Sequence, residues 1–522
     1  LASKAFLAAL VVGMIIHLPL VLLHGELFPD SSAYLDVGRS LFQGDGFVVK
    51  INLAALWPGA DAQPALSYYN PLFCVLCGLV WHLSGSMPIT IVACVVFPLI
   101  ANAFLLFLIA RKLFSVRTAW LSMLIYLALP FCMQNSIILS TEQLGVLGSL
   151  TCIWILIRDS SRFHHFAISG VILAGTFFFQ VSSLANSMVI MACFALVSWI
   201  RDRKIKGALI VATTFFLIIS IYQIICVKTT GHLYPYYPEG AKAWSQSQYY
   251  LSEYNDGFPV LSLPEFDTAH IFLSSWNFIP IKLFRFAELI WRNIIWLSLF
   301  IPLAICQYLP TSRNIKTWLL LAPGVSNILL MTFIYWWLMK IEATRYSIFP
   351  IAMLLAPSVH SAECFIDHIE KKTNWRAIGK SLKILLIILL TFHFLISYLG
   401  FALPGIRTNH ALKNESKKAL HYMRNRSKDG DLIGIEPATS MMSLSFYADR
   451  PVAPLPYMKS SSQSHFNSFA KIYRPKFMVH IVDDIAINLL GSDNKYDEYI
   501  PVLGCWPAIG WKSEFIEIWQ CP

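Results

Sequence analysis

What most constrains this chain is a rhythm: apolar runs near bilayer-spanning length, separated by short segments that hold the basic residues. About 20 apolar residues cross a bilayer as a helix, because a helix satisfies its own backbone hydrogen bonds there. Five separators are basic: 111–117, 158–165, 201–206, 313–316 and 371–383. Positive charge in short loops stays on the cytoplasmic side, so all five are expected there. Only 13% of the 522 residues are charged, against about 25% in soluble domains. The chain therefore reads as a polytopic α-helical membrane protein. Its formal charge of +10 sits in the loops, so no nucleic-acid partner is implied.

Two crossings must join each neighbouring pair of basic loops. The runs 117–137 and 143–157, 166–181 and 184–200, 207–227 and 284–306, and 317–339 and 345–363 supply them. A last run, 382–402, leads out again. The first run, 5–23, lacks a small-x-small cleavage site and reads as a retained helix. Before Arg111 the stretches 71–84 and 89–110 compete. The former is short and closed by Ser84-Gly85-Ser86, so it is expected on the membrane surface. The result is about eleven spans, with the N-terminus inside and the C-terminus outside.

Residues 1–403 thus form a transmembrane module with outer loops 24–88 and 228–283, and 404–522 form a small α/β domain outside. In that tail, 412–423 reads as an amphipathic helix, 431–435 and 477–482 as buried strands, and 514–519 as an edge strand. The cysteines lie mostly in apolar runs as small hydrophobes, whereas Cys505 and Cys521 would pair in an oxidising compartment. The aromatic-rich loop 228–283 suits a membrane interface.

Four polar features then fall at the outer face. Asp30 follows the first helix and opens an amphipathic segment, with Tyr34, Val37, Leu41 and Phe42 against Asp36, Arg39 and Ser40. Tyr68-Tyr69-Asn70-Pro71 starts the surface helix. Thr141-Glu142 lies in an outer turn, and Lys340-Ile341-Glu342-Ala343-Thr344-Arg345-Tyr346 in another. Charged groups at helix ends also snorkel into headgroups, which suits Lys340 better than a mixed-charge group.

The order of these pieces resembles the GT-C fold glycosyltransferases that use lipid-linked sugars, in particular the dolichyl-phosphate-mannose protein mannosyltransferase-like and aminoarabinose lipid A transferase-like group. Their Asp-Glu-x-x-Tyr loop is matched by Asp30-Ser31-Ser32-Ala33-Tyr34 and the helix after it. Their Pro-Pro-Leu surface helix is matched by Asn70-Pro71-Leu72 through Gly85. Their basic turn is matched by Arg111-Lys112-Leu113-Phe114-Ser115, their acidic site by Ser140-Thr141-Glu142, and their late Arg-Tyr motif by Arg345-Tyr346 with Pro350. The likeness covers 5–200 and 340–357. Two departures stand out: Ser31 replaces the second acid, and Asn70 replaces the first proline.

This resemblance implies an inverting hexosyl or pentosyl transfer from a polyprenyl-phosphate sugar to an acceptor on a glycan, glycolipid or protein. Asp30 would be the base that takes the acceptor proton. Arg345 and Tyr346 would stabilise the departing lipid phosphate, and Glu142 would orient the acceptor or a cation on the donor. Lys50 and Arg292 are further phosphate candidates, the latter on one helix face with Arg285 and Glu288. Tyr34, Tyr69, Asn70 and Glu342 are substrate-contact candidates. No cofactor is expected, and the spacing of His232 and His270 gives no support to a divalent metal. A bacterial inner membrane with a periplasmic site is the expected setting. A lipid-sugar flippase or a non-catalytic assembly subunit is the alternative. A transporter would place its ionisable groups near mid-bilayer, often within inverted repeats, and neither pattern is found.

Overall fold

The structure is a computed structural model. It describes residues 1–24, 29–49, 63–64, 66, 69–158, 163–202, 205–235, 287, 290, 298–308, 315–330, 348–371, 376–427, 433–436, 452–454, 476–481, 506–507 and 516–520.

Helix α1 (Ala2–His24) leads to α2 (Pro29–Gln43) and α3 (Pro71–Ser84). A two-strand ribbon pairs β1 (Val48–Val49) with β2 (Gln63–Pro64). The next apolar helix runs Met87–Leu113 as α4 (Met87–Ile91), a π turn (Val92–Val96) and α5 (Phe97–Leu113). The π turn precedes Pro98, whose ring would strike the carbonyl of residue 94 in a regular helix. Then come α6 (Val116–Leu127), α7 (Pro130–Ser136), α8 (Glu142–Ile157), α9 (Phe163–Phe179), α10 (Ser183–Asp202) and α11 (Lys206–Thr230). After these are α12 (Phe300–Gln307), α13 (Trp318–Leu330), α14 (Ile348–Lys371) and α15 (Arg376–Arg426).

Six helices among the described residues are long and apolar enough to cross a bilayer, or seven if the bent pair α6–α7 is one span. With α3, α8, α9 and α13 as shorter apolar helices, the protein is an integral membrane protein of the expected helical class. The described residues do not give the span count of eleven.

Local chemistry fixes the boundaries. Helix α3 begins with Pro71 and ends at Gly85 in the left-handed region, matching the expected 71–84. Ser115 caps α6 by accepting from Thr118 N at 2.9 Å. The expected single helix 117–137 is instead broken at Ala128–Leu129 and bent by 49°. Pro130 has no N–H to offer the Tyr126 carbonyl, and at the break the His17 ring on α1 bonds the Leu127 carbonyl at 3.0 Å. Helix α14 lies at the bundle centre, with Met353, Leu355, Ala356 and Ser358 fully buried. It packs on α6, α12, α13 and α15.

The bundle has two ends. At one, Phe114 packs on Tyr308 and Lys316 Nζ donates to the Ile157 carbonyl, so the loops after α5 and α8 gather there with their basic residues. This is the basic end. The other end carries α2, α3 and the start of α8.

Beyond residue 430 the described strands form one mixed sheet: β3 (Ile433–Glu436), β4 (Val452–Pro454), β5 (Phe477–Ile481), β6 (Trp506–Pro507) and β7 (Ile516–Gln520), in the order β4-β3-β5-β7-β6. Strand β3 is parallel to β4 and β5, whereas β7 runs antiparallel to β5 with Val479 opposite Ile518. The 514–519 stretch is not at the edge, because Trp506 and Pro507 pair with its far side. The expected helix 412–423 is present but continuous with the last apolar helix, as one element of 51 residues through position 403.

Candidate active site opposite the basic end

The first polar loop folds back as two crossed helices. A Cβ on Gly38 would lie 2.6 Å from Gly78 Cα, so α2 and α3 touch backbone to backbone. Much of what the sequence reads as the polar face of α2 is nevertheless buried. Asp36 is 0% exposed and Ser40 is fully buried. The correction has an electrostatic reason: Arg39 Nη2 donates to Asp36 Oδ1 at 2.7 Å, so the carboxylate enters the interior as a pair. One turn beyond the two glycines, Phe42 of α2 stacks on His82 of α3. Asp30 is the second residue of α2, in its first turn.

Asn70 joins this layer to the bundle. It precedes α3 and is 7% exposed. Its Oδ1 accepts from Val181 N at 3.2 Å and from the Tyr234 hydroxyl at 3.0 Å. A backbone N–H can only donate, which fixes the amide orientation. Nδ2 therefore faces the Tyr34 hydroxyl and donates to it at 3.2 Å. The Tyr34 ring lies edge-on to Tyr69 and to Phe73, at 5.9 and 5.1 Å between centroids. Tyr34, Tyr69 and Asn70 thus form one cluster with α2. Segment 231–235 is strapped down beside it: Tyr234 N donates to Gln223 Oε1 at 2.7 Å, and its ring packs edge-on to Phe177 and Tyr222.

From Val181 the path continues to the second acid. Gln180 ends the α9 segment, and its amide fills the space a side chain on Gly145 would need. Gly145 lies one turn from Glu142, the first residue of α8, which is 3% exposed rather than in an open turn. The N-terminal end of α8 favours a carboxylate through the helix dipole. Ser140 donates to Asn135 Oδ1 at 3.2 Å. Below Glu142, Gln143 Oε1 accepts from Asn102 at 3.0 Å and from Tyr126 at 3.1 Å, in a buried network that fixes the start of α8.

The structure therefore brings Tyr34, Tyr69, Asn70 and Glu142 to one end of the bundle, together with the α2 backbone that bears Asp30. Lys50, Arg292, Glu342, Arg345 and Tyr346 lie outside the described residues, as do Tyr68, Arg285, Glu288, His270, Lys340, Cys505 and Cys521. Among the described residues no group of three His, Cys, Asp or Glu side chains could hold a metal ion. The sequence reading missed the inward turn of Asp36 and the Gln180–Gly145 contact.

No protein-family model and no curated protein matches the chain. Solved structures do. The apo structure of ArnT from Cupriavidus metallidurans is similar at a TM-score of 0.57 and 13% identity, over 98% of this chain and 96% of that one. The Archaeoglobus fulgidus oligosaccharyltransferase in complex with zinc and sulfate is similar at 0.60 and 11%, over 94% of this chain and 69% of that one. The arabinofuranosyltransferase AftD from Mycobacteria is similar at 0.52 and 11%, over all of this chain but 40% of that one. The likeness runs through the membrane helices and into the tail, and the fold of this chain is that of the GT-C glycosyltransferases.

Proposed function

We propose that the protein is a membrane glycosyltransferase that moves a sugar from a polyprenyl-phosphate donor to an acceptor hydroxyl at the end of the bundle opposite the basic loops. The observation that carries this reading is the convergence on Asn70. One side chain ties the helix bearing Asp30 to the α9–α10 turn, and that turn packs on the helix starting at Glu142. Two acids from distant parts of the chain thus belong to one end of the bundle. Solved neighbours carry related ligands: one ArnT structure is bound to undecaprenyl phosphate, and one AglB structure holds dolichol phosphate with an inhibitory peptide.

Helix lengths support a recessed site. With 16 and 17 residues, α8 and α9 span roughly 24–26 Å at about 1.5 Å per residue, less than the ~30 Å hydrocarbon core. A pocket above their ends would keep the reacting groups at the lipid boundary, where a prenyl chain and a polar acceptor can meet. In this reading Asp30 takes the acceptor proton, Glu142 orients the acceptor or a cation on the donor, and Arg345 with Tyr346 receives the charge on the leaving phosphate. Lys50 and Arg292 are secondary phosphate contacts, and Glu342 a substrate contact. The positive-inside rule supports a non-cytoplasmic place for this end, which in this reading is the periplasmic side of a bacterial inner membrane.

The test is Asp30→Asn. Asparagine fills the same space and serves a helix start about as well as aspartate, but its amide cannot accept the proton. Turnover with a polyprenyl-phosphate sugar is expected to fall by about 10²–10⁴, with the affinity for undecaprenyl phosphate retained. Near-normal turnover in a folded variant would make Asp30 a helix-start residue only.

A further inference from the structure

The basic end holds a second constellation that this reading does not use. Helix α14 presents His360, Glu363 and Cys364 within one turn, against Ser115, Arg117 and Thr118 of α6. Cys364 Sγ lies 3.5 Å from His360 Nε2, and His360 Nδ1 lies 3.1 Å from Thr118 Oγ1. Thr118 donates to Glu363 Oε2, while Arg117 Nε lies 3.0 Å from Glu363 Oε1. The directions follow from the chemistry. A carboxylate paired with arginine only accepts, so the Thr118 proton points to Glu363. Its lone pairs then accept from His360 Nδ1–H, which leaves Nε2 unprotonated and facing the thiol. The imidazole packs against Phe114, at 4.9 Å and 29°, and Tyr308, at 6.2 Å and 28°, two rings that also pack on each other at 5.6 Å. Thiol, imidazole, hydroxyl and carboxylate form one directed relay, and an adjacent base of this kind activates a nucleophile.

We propose that Cys364 is a nucleophilic thiol that accepts a fatty acyl group from an acyl thioester at the basic end. Its surroundings select an amphiphilic electrophile. Cys364 is half-buried, the next residue, Phe365, is exposed beside Phe300 of α12, and Arg117 is half exposed. An acyl chain lies along the apolar surface while the polar carrier stays near the cation. The Cys364 sulfur attacks the thioester carbonyl carbon as its proton passes to His360 Nε2. The carbon–sulfur bond of the donor breaks, and that proton goes to the departing thiolate. The products are a Cys364 thioester and a free thiol, with no change of oxidation state.

The experiment places the purified full chain in phosphatidylcholine nanodiscs with palmitoyl-coenzyme A and maps the modified cysteines by mass spectrometry. One hydroxylamine-labile palmitoyl group is expected on Cys364, absent in Cys364→Ser. Cys306, exposed on α12, is the internal comparison and should react much more slowly. His360→Gln should slow acylation at Cys364 by at least about tenfold, as loss of a positioned base does, and Thr118→Val should slow it measurably. Equal rates at Cys364 and Cys306, or an oxidised but unacylated Cys364, overturn the proposal. So does an unchanged rate in His360→Gln. If that variant aggregates, Thr118→Val decides, and an unchanged rate there has the same force.

Discussion

At the scale of single residues, the protein spends ionic pairing to bury polarity. Asp36 is fully buried and held by Arg39 at 2.7 Å. Asp36→Ala removes the carboxylate that Arg39 Nη2 contacts and should destabilise the chain by about 3–5 kcal/mol, the usual cost of breaking a buried pair from one side. Asp36→Ala with Arg39→Met should recover much of that loss, measured as thermal midpoint in detergent. Equal melting of the two variants would mean that the charge of Arg39 costs nothing once Asp36 is gone. This pair also shows where sequence reading stops. The helical spacing of α2 was legible, but its polar face was assigned to water. Periodicity says which residues share a face, not what covers it. Glu142 illustrates the same limit: its place in the turn before the 143–157 run was legible, and its burial as the first residue of α8 was not. Asn70 stood out as a departure from the proline of the family it resembles, and the structure shows it bonded to three separate segments.

At the scale of elements, the crossing of α2 and α3 depends on two glycines meeting face to face. A branched side chain at either has only backbone to displace. Gly38→Val is expected to separate the helices and move the Asp30 turn relative to Asn70. The measurement is disulfide trapping between cysteines placed at Leu41 and Trp81, against the same pair on an unmodified α2. Trapping at the parent rate would mean the crossing tolerates bulk. The start and end of α3 were readable because proline and left-handed glycine are local signals. The break between α6 and α7 was not, because its stability depends on His17, 110 residues away. Strand β7 went the same way: its alternation was local, but its interior place is set by Trp506 and Pro507.

At the scale of the molecule, the basic loops make a topological prediction. Cysteines introduced near Gly44 and Gly231 should react with an impermeant thiol reagent from outside the cell. Cysteines at Ser115 and Lys206 should not. Outside labelling at Ser115 would overturn the placement of α3 on the membrane surface. The helical class was legible from run length and charge alone, because a bilayer allows few other solutions. The count of spans was less legible, since α8 and α9 are shorter than a full crossing and are accommodated by their neighbours.

The central position of α14 bears on how the chain is made. Among the six long apolar helices of the described residues it has the lowest mean hydropathy and the largest buried share, whereas the helix that follows, 377–399, is more apolar and has no fully buried residue in its apolar window. A segment carrying Ser358, His360, Ser361 and Glu363 partitions poorly from the translocon into lipid on its own. Its natural solvent is the protein already synthesised before it. During biogenesis α14 is therefore received by a partly assembled bundle, while α15 enters the lipid unaided and closes behind it. Moved into a host protein as an isolated segment, α14 should insert poorly and α15 well, so the order of synthesis is itself part of how this fold is reached.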